Sequence, residues 1–151
     1  TASTGHAIQC RINAEDPARN FLPGPGRITA YREPSGPFVR VDSAVRTGKE
    51  IPADYDSMFA KVIVSAENRP RAIARMERAL SEFQVEGVPT TIPLHRWVLG
   101  TRAFGKSTHS TTWLEKALRD AELPVRALAA LSHPNTVRVY AYGATEDGLP
   151  H

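Results

Sequence analysis

The sequence predicts an α+β fold in which a small antiparallel β-sheet is covered by helices, with a helix and a strand appended at the end of the chain. Three patterns support this prediction. Apolar and polar residues alternate in two stretches of the first half, a nearly continuous apolar run follows them, and apolar residues then recur at helical spacing. Because the connections between the predicted strands are short, we expect neighbouring strands to be antiparallel.

Four β-strands are predicted, at residues 7–13, 27–32, 38–45 and 58–64. In the first strand Ile8, Cys10 and Ile12 alternate with polar residues, which is typical of a half-buried strand. A Pro/Gly-rich turn at residues 34–37 connects the second strand to the third and predicts that these two strands pair. The fourth strand is a nearly continuous apolar run with one lysine, which favours a strand that is covered on both faces.

An amphipathic helix is predicted after the fourth strand. Asn68 is a suitable N-cap, and Pro70 is compatible with the first turn of a helix. Apolar residues then recur at helical spacing, at Ile73, Met76, Leu80 and Phe83. This pattern places the helix on the sheet with its apolar stripe facing the core.

Two further helices are predicted in the next part of the chain. Residues 85–88 form a short return segment, after which Thr91 is the predicted cap of the second helix. A loop is expected at residues 100–110, and Thr111 or Thr112 begins the third helix.

Composition and charge exclude several classes of function. Hydrophobic residues make up 41% of the chain and charged residues 23%, which is typical of a globular protein. The net charge is +3, but lysine and arginine are scattered among acidic residues, so nucleic acid is not an expected partner. No apolar run reaches membrane-spanning length and no signal peptide is recognisable, so a membrane is not an expected partner either.

The cysteine and histidine content argues against a disulfide framework and a metal site. Cys10 is the single cysteine, so we expect a reducing, cytoplasmic compartment. The five histidines show no metal-ligand spacing, so no bound metal is expected. Because the first residue is Thr1 rather than methionine, we expect the chain to be a piece of a longer protein.

Arg40 and Asp42 are the candidate functional residues, and both lie in the third predicted strand. Side chains two residues apart share one face of a strand, so the guanidinium and the carboxylate stand side by side on the polar face. Strand geometry alone favours a solvated pair that contributes little to stability.

Several stretches, in order along the chain, resemble the biotin carboxylase C-terminal domain. They include GHAIQCRINAEDP at residues 5–17, NFLP at 20–23, PGRIT at 25–29, VRVDS at 39–43, YDSM at 55–58, Ala60-Lys61, ENR at 67–69 and AIARM at 72–76. The resemblance extends over about residues 3–118. This domain is the third of the biotin carboxylase component of acyl-CoA, propionyl-CoA, methylcrotonyl-CoA and pyruvate carboxylases.

The resemblance implies a role in the ATP-dependent carboxylation of biotin with bicarbonate. It assigns to Arg40 a catalytic and substrate-binding role, in which the guanidinium stabilises negative charge on the ureido oxygen of biotin. Asp42 is the second candidate substrate-binding residue, either orienting this guanidinium or standing as a plain surface acid. ATP and magnesium are implied only for the complete enzyme, because the ATP-grasp domain that binds them is absent from this chain. The implied partners are that ATP-grasp domain, the biotin carboxyl carrier protein and a second copy in a homodimer. We expect no activity and no bound cofactor for this chain alone.

Residues 125–151 resemble a different family, the amino-terminal lobe of a protein kinase, after a junction at residues 119–124. The stretch lacks a glycine-rich loop, a strand lysine and the catalytic aspartates, so no nucleotide binding is expected. Pro124 stands where the lysine-pairing glutamate of a kinase helix is expected. We therefore divide the chain into a domain at residues 1–118 and a tail that is not an independent domain. Two alternative functions stay open, a non-catalytic dimerisation or scaffold module and a fragment of a Ser/Thr kinase fusion.

Overall fold

The structure is a computed structural model that describes residues 4–120. Within this range the strands are β1 (His6–Asn13), β2 (Glu15–Asp16), β3 (Leu22–Pro23), β4 (Gly26–Arg27), β5 (Ala30–Arg32), β6 (Val39–Ser43), β7 (Glu50–Ile51), β8 (Met58–Ala66) and β9 (Gln84–Glu86). The helices are α1 (Arg69–Glu82), α2 (Ile92–Gly100), α3 (Arg102–Gly105) and α4 (Trp113–Asp120). The predicted α+β class with antiparallel strands is confirmed, and the kinase-like tail lies outside the described residues.

The main sheet has three antiparallel strands in the order β1-β8-β6. Val62 and Val64 of the central strand β8 are fully buried, and α1 packs over this face of the sheet. Lys61 and Ile63 alternate with them and are only half-buried. In the described residues β8 is therefore covered on one face, although its apolar run predicted cover on both. Ile63 is apolar although it lies on the open face, so the apolar run does not show which face of β8 is covered.

The predicted pairing of the second strand with the third is wrong. β6 pairs with β8, whereas β5 pairs with β9. Residues 27–32 are also not one continuous strand, because Ile28 between β4 and β5 turns fully into the core. The backbone N–H of Ile28 donates to the carbonyl of Lys49, and that of Thr29 donates to the carbonyl of Glu86. The chain thus passes from one two-stranded ribbon to another, which a turn signal at residues 34–37 does not reveal.

Helix α1 begins as predicted. The side chain of Asn68 accepts a hydrogen bond from the backbone N–H of Arg71 at 3.0 Å, and Pro70 lies in the first turn. Its inward face consists of Ala72, Met76, Ala79 and Leu80, which are buried against β1 and β8. Met76 and Leu80 confirm the predicted apolar stripe.

Thr91 precedes α2 as predicted, but its side chain does not cap the helix. The Thr91 hydroxyl accepts a hydrogen bond from the backbone N–H of Asn13 at 3.0 Å and donates to the carbonyl of Arg11 at 3.3 Å. This threonine therefore attaches the start of α2 to the end of β1. The short helix α3 occupies part of the predicted loop at residues 100–110, and α4 begins close to the predicted position.

Aromatic side chains connect the last three helices. Trp97 of α2 stacks on Trp113 of α4 with ring centroids 6.3 Å apart, and Phe104 of α3 lies 5.0 Å from the ring of His109. Arg69 of α1 places its guanidinium 4.5 Å from the centre of the Phe104 ring and donates to the carbonyl of the same residue. These contacts connect α2 to α4 and α3 to α1, and α1 is the helix that packs on the sheet.

The two-stranded ribbon of β5 and β9 requires a glycine at Gly87. Its φ is +97°, and a Cβ built on it would lie 2.1 Å from the carbonyl oxygen of Arg27. We predict that Gly87→Ala lowers the free energy of unfolding by more than the left-handed conformation alone costs, which is about 1–2 kcal/mol. Urea denaturation measures this change. Gly105→Ala is the matched control, because nothing lies within 4 Å of its Cβ, and an equal effect of both substitutions would contradict the steric account.

His95 connects α2 to β1 and gives the fold a pH dependence. Its Nε2 donates to the carbonyl of Arg11 at 2.6 Å. Burial lowers the pKa of His95 below its ordinary value of 6.5, and the bond to the carbonyl opposes this only in part. The unfolded chain therefore takes up a proton near pH 6.5, whereas the folded chain does so only at lower pH.

We predict that the free energy of unfolding decreases as the pH falls from about 6.5 through the lowered pKa of His95. In His95→Gln the amide still donates to the carbonyl but does not titrate, so this part of the decrease disappears. Urea denaturation at about pH 7.5 and about pH 5 measures the difference between the two proteins. Identical pH dependence in both would show that His95 is not the responsible group.

Candidate functional site

Arg40 lies on the solvent-facing side of β6. Val39 and Val41 pack against the hydrophobic core, so the intervening side chains point to the opposite face of the sheet. The side chain of Arg40 is 73% exposed and that of Asp42 is 41% exposed. The structure therefore brings the two predicted site residues together on the predicted face.

The guanidinium of Arg40 and the carboxylate of Asp42 form a bidentate ion pair. Nε donates to Oδ1 at 2.7 Å, and Nη2 donates to Oδ2 at 2.8 Å. This geometry uses one edge of the guanidinium, and among residues 4–120 no acceptor binds Nη1. The hydrogen bonds from Arg40 hold the pKa of the Asp42 carboxyl below 3.8, and those to Asp42 raise the pKa of the guanidinium. Both groups are charged at neutral pH, and Arg40 keeps one edge for another anion.

The C-terminal end of β6 is anchored by Tyr31 of β5. The Tyr31 hydroxyl donates to the side chain of Ser43 at 2.7 Å, while its ring meets Phe59 and Phe83 edge to face at 6.4 and 5.5 Å. Burial raises the pKa of Tyr31 to about 12, so the hydroxyl keeps its proton. Because β6 is at the edge of its sheet, this contact from a second ribbon limits movement of the strand that carries Arg40.

The N-terminal end of β6 is held by α1. Phe38 has a φ of 61° and is 68% exposed. The guanidinium of Arg75 lies 5.1 Å from the centre of this ring and also donates to the carbonyl of Ser65. The backbone N–H of Ser65 in turn donates to the carbonyl of Phe38 at 3.2 Å.

The outer face of the sheet carries an excess of positive charge. We define this face as Arg40 and Asp42 of β6, Lys61 and Ile63 of β8, and Gln9 and Arg11 of β1. Residues directly opposite each other in antiparallel strands share a face, so Asp42, Lys61 and Arg11 form one row across it. Three cations and one carboxylate lie on this face. An open cavity of about 250 Å³ lies next to the row and is lined in part by Asp42 and Lys61.

A larger cavity of about 670 Å³ is remote from the ion pair. It lies where β1 begins and β8 ends, and it is lined by Phe38, Arg71 and Arg75 among others. Neither Arg40 nor Asp42 borders it, so its size does not make it the site of the predicted chemistry.

The motifs that carry the family resemblance contact one another inside the fold. The hydroxyl of Ser57 donates to a carboxylate oxygen of Glu15, and the amide of Asn13 donates to both side chains at 3.1 Å. The backbone N–H of Ala14 donates to the carbonyl of Ser57 at 2.8 Å. These residues connect the end of β1 to the start of β8, which is a structural role.

Sequence reasoning missed Lys61 and Tyr31 as members of the site. Lys61 is visible in the sequence as one charge in an otherwise apolar run, but its position opposite Asp42 depends on the pairing of β6 with β8. Tyr31 gives no signal in the sequence, because its contact with Ser43 joins two separate ribbons.

Two classes of feature are not found in the described part of the chain. Between residues 4 and 120, no three His, Cys, Asp or Glu side chains are arranged to hold a metal ion. None of the helices in this range has both the length and the hydrophobicity needed to cross a membrane.

Comparison with known proteins identifies the family. The family model described as the biotin carboxylase C-terminal domain matches residues 9–116. The chain belongs to this family. Biotin carboxylase 1 of Bacillus subtilis is 54% identical over 111 residues, which are 74% of this chain and 25% of that protein. The chloroplastic biotin carboxylase of Arabidopsis thaliana is 46% identical over 125 residues, which are 83% of this chain and 23% of that protein.

Solved structures of biotin carboxylases have the same fold as this domain. One is the biotin carboxylase domain dimer of Hydrogenobacter thermophilus 2-oxoglutarate carboxylase in complex with MgADP and bicarbonate. It superposes with a TM-score of 0.73 at 42% identity, over 75% of this chain and 25% of that one. The chain therefore spans about a quarter of the length of the relatives it matches.

Proposed function

We propose that this chain is the C-terminal domain of an ATP-dependent biotin carboxylase and that it supplies Arg40 to the biotin site. The observation that carries the proposal is the exposed guanidinium on the outer face, oriented by Asp42 along one edge and open along the other. A rigid bidentate contact restricts the rotamers of a long side chain, so the open edge has a defined direction. Membership of the family supports the same assignment.

The proposed chemistry concerns the ureido group of biotin. A base of the ATP-grasp domain removes the ureido N–H proton, and negative charge develops on the ureido oxygen. ATP phosphorylates bicarbonate, which gives carboxyphosphate and ADP. The deprotonated nitrogen then forms a bond to the carboxyl carbon of carboxyphosphate, the bond from that carbon to the phosphate oxygen breaks, and phosphate leaves. Nη1 of Arg40 donates to the ureido oxygen, where a fixed positive charge stabilises the transition state more than the neutral substrate. Asp42 has no direct chemical step and keeps the guanidinium turned toward that oxygen.

The partners follow from the part of the enzyme that this chain lacks. ATP, magnesium and bicarbonate bind to the ATP-grasp domain, in line with the MgADP and bicarbonate of the Hydrogenobacter structure. Biotin arrives on a carrier protein, and the dimer of the same relative supports a homodimer here. A cytoplasmic location is consistent with Cys10, whose thiol is buried and whose pKa is raised by that burial to about 12.

The proposal is tested in a carboxylase chimera, in which residues 4–118 replace the corresponding quarter of Bacillus subtilis biotin carboxylase 1. We predict that Arg40→Ala lowers kcat for biotin-dependent ATP hydrolysis by about 10²–10³-fold, the loss expected for one donor to a developing oxyanion. Arg40→Lys keeps the positive charge but loses the planar, forked set of N–H donors of the guanidinium, so it recovers only part of the activity.

Arg102→Ala removes an exposed arginine from α3 and is the control, with kcat unchanged. The unmodified 151-residue chain, which lacks the ATP-grasp domain, hydrolyses no ATP. An inactive wild-type chimera, or full activity after Arg40→Ala, would rule out the proposed function.

A further inference from the structure

The ion pair that orients Arg40 also weakens it as a cation. In the bidentate contact the donor nitrogens and acceptor oxygens are 2.7–2.8 Å apart, and Arg40 and Asp42 together have no net charge. A neutral pair stabilises a developing negative charge much less than an uncompensated guanidinium does. The outer face therefore needs a further positive charge close to Asp42 if Arg40 is to act on the ureido oxygen at full strength.

Lys61 is in the position to supply that charge. It lies directly opposite Asp42 in the register of β6 and β8, so the two Cβ atoms share the outer face and are about 5 Å apart. The ammonium group on its flexible stem can reach the carboxylate across this gap. Among residues 4–120 Lys61 belongs to no ion pair of its own, since those pairs involve Arg40, Arg71, Arg78 and Arg96.

Besides Arg40, the positive charge of Lys61 contributes to the lowered pKa of the Asp42 carboxyl. The hydrogen bonds from Arg40 are the largest cause of the lowered pKa of the Asp42 carboxyl, and the positive charge of Lys61 lowers it further. Arg11 follows Lys61 in the same row but is separated from Asp42 by the full width of β8. Lys61 is thus the cation of the row that is adjacent to the carboxylate.

We propose that Lys61 is a positioning residue for biotin carboxylation, which shares the Asp42 carboxylate with Arg40 and so preserves net positive charge at the ureido oxygen. The inference rests on the function proposed above. With two cations facing one carboxylate, Arg40, Asp42 and Lys61 together carry one positive charge. Asp42 stays on the Nε edge of Arg40 while the open edge meets biotin, and Lys61 supplies the second positive charge beside the carboxylate.

The activity test uses the carboxylase chimera. Lys61→Met lowers kcat about 10-fold, less than the loss of a donor that contacts the oxyanion itself. The KM for ATP is unchanged, because ATP binds to the other domain. Lys61→Arg restores kcat since it restores the charge, and Lys116→Met, which removes an exposed lysine from α4, has no effect.

A second background shows whether Lys61 acts through the carboxylate. In Asp42→Asn the carboxylate is gone, so adding Lys61→Met changes kcat by less than about twofold. An equal loss in both backgrounds would overturn the inference, because Lys61 would then act independently of Asp42. Wild-type kcat in Lys61→Met would overturn it too, while loss of activity in Arg40→Ala would leave the proposed function standing.

A titration of the 151-residue chain provides a readout that does not depend on activity. In a sample with labelled aspartate carboxyls, NMR follows Asp42 as the pH is lowered. Lys61→Met raises the pKa of Asp42 toward 3.8, since one of the charges that lowers it is removed. Lys116→Met leaves it unchanged. An Asp42 pKa that does not respond to Lys61→Met would overturn the inference whatever the kinetics show.

Discussion

The alternation of side chains along β6 is the constraint on which the whole account depends. Val39 and Val41 are held against the core, and this places Arg40 and Asp42 on the outer face. A register slip of one residue would exchange the two faces, burying a guanidinium and exposing the valines. Because an unpaired buried charge is strongly unfavourable, the apolar face and the charged face specify the same register.

Much of the remaining structure holds that strand in place. Among residues 4–120, β6 has a paired neighbour on one side only, so its ends need other support. Tyr31 supplies it at one end through Ser43, and Arg75 supplies it at the other through Phe38. If Arg40 meets a ligand atom as proposed, a rigid support for its strand is an advantage, because such a contact must be placed to within a fraction of an ångström.

The sequence predicts local features of this fold well and long-range pairings poorly. Periodicity predicts the apolar stripe of α1 and the face on which Arg40 lies, and the residues of the first helical turn predict the Asn68 cap. All three features are found in the structure. The partner of β6 is not predictable in this way, because β8 follows it only after an intervening segment that contributes β7 to another ribbon. Without that pairing the sequence gives no reason to place Lys61 opposite Asp42. The role of Arg40 itself comes from the family resemblance, since the same pattern on an isolated strand describes an ordinary surface pair.

The structure also separates the residues that support the fold from the residues of the candidate site, which the sequence does not do. The family motifs at residues 5–17 and 55–58 bond to each other through Asn13, Glu15 and Ser57 and so build the frame. The proposed chemistry lies on the outer face, where Arg40 and Asp42 form their ion pair. The most direct measurement is a crystal structure of the active carboxylase chimera with biotin bound. The account predicts Nη1 of Arg40 at about 2.7–3.2 Å from the ureido oxygen, with Asp42 still on the Nε edge. A structure in which other donors meet that oxygen while Arg40 points into solvent would contradict it.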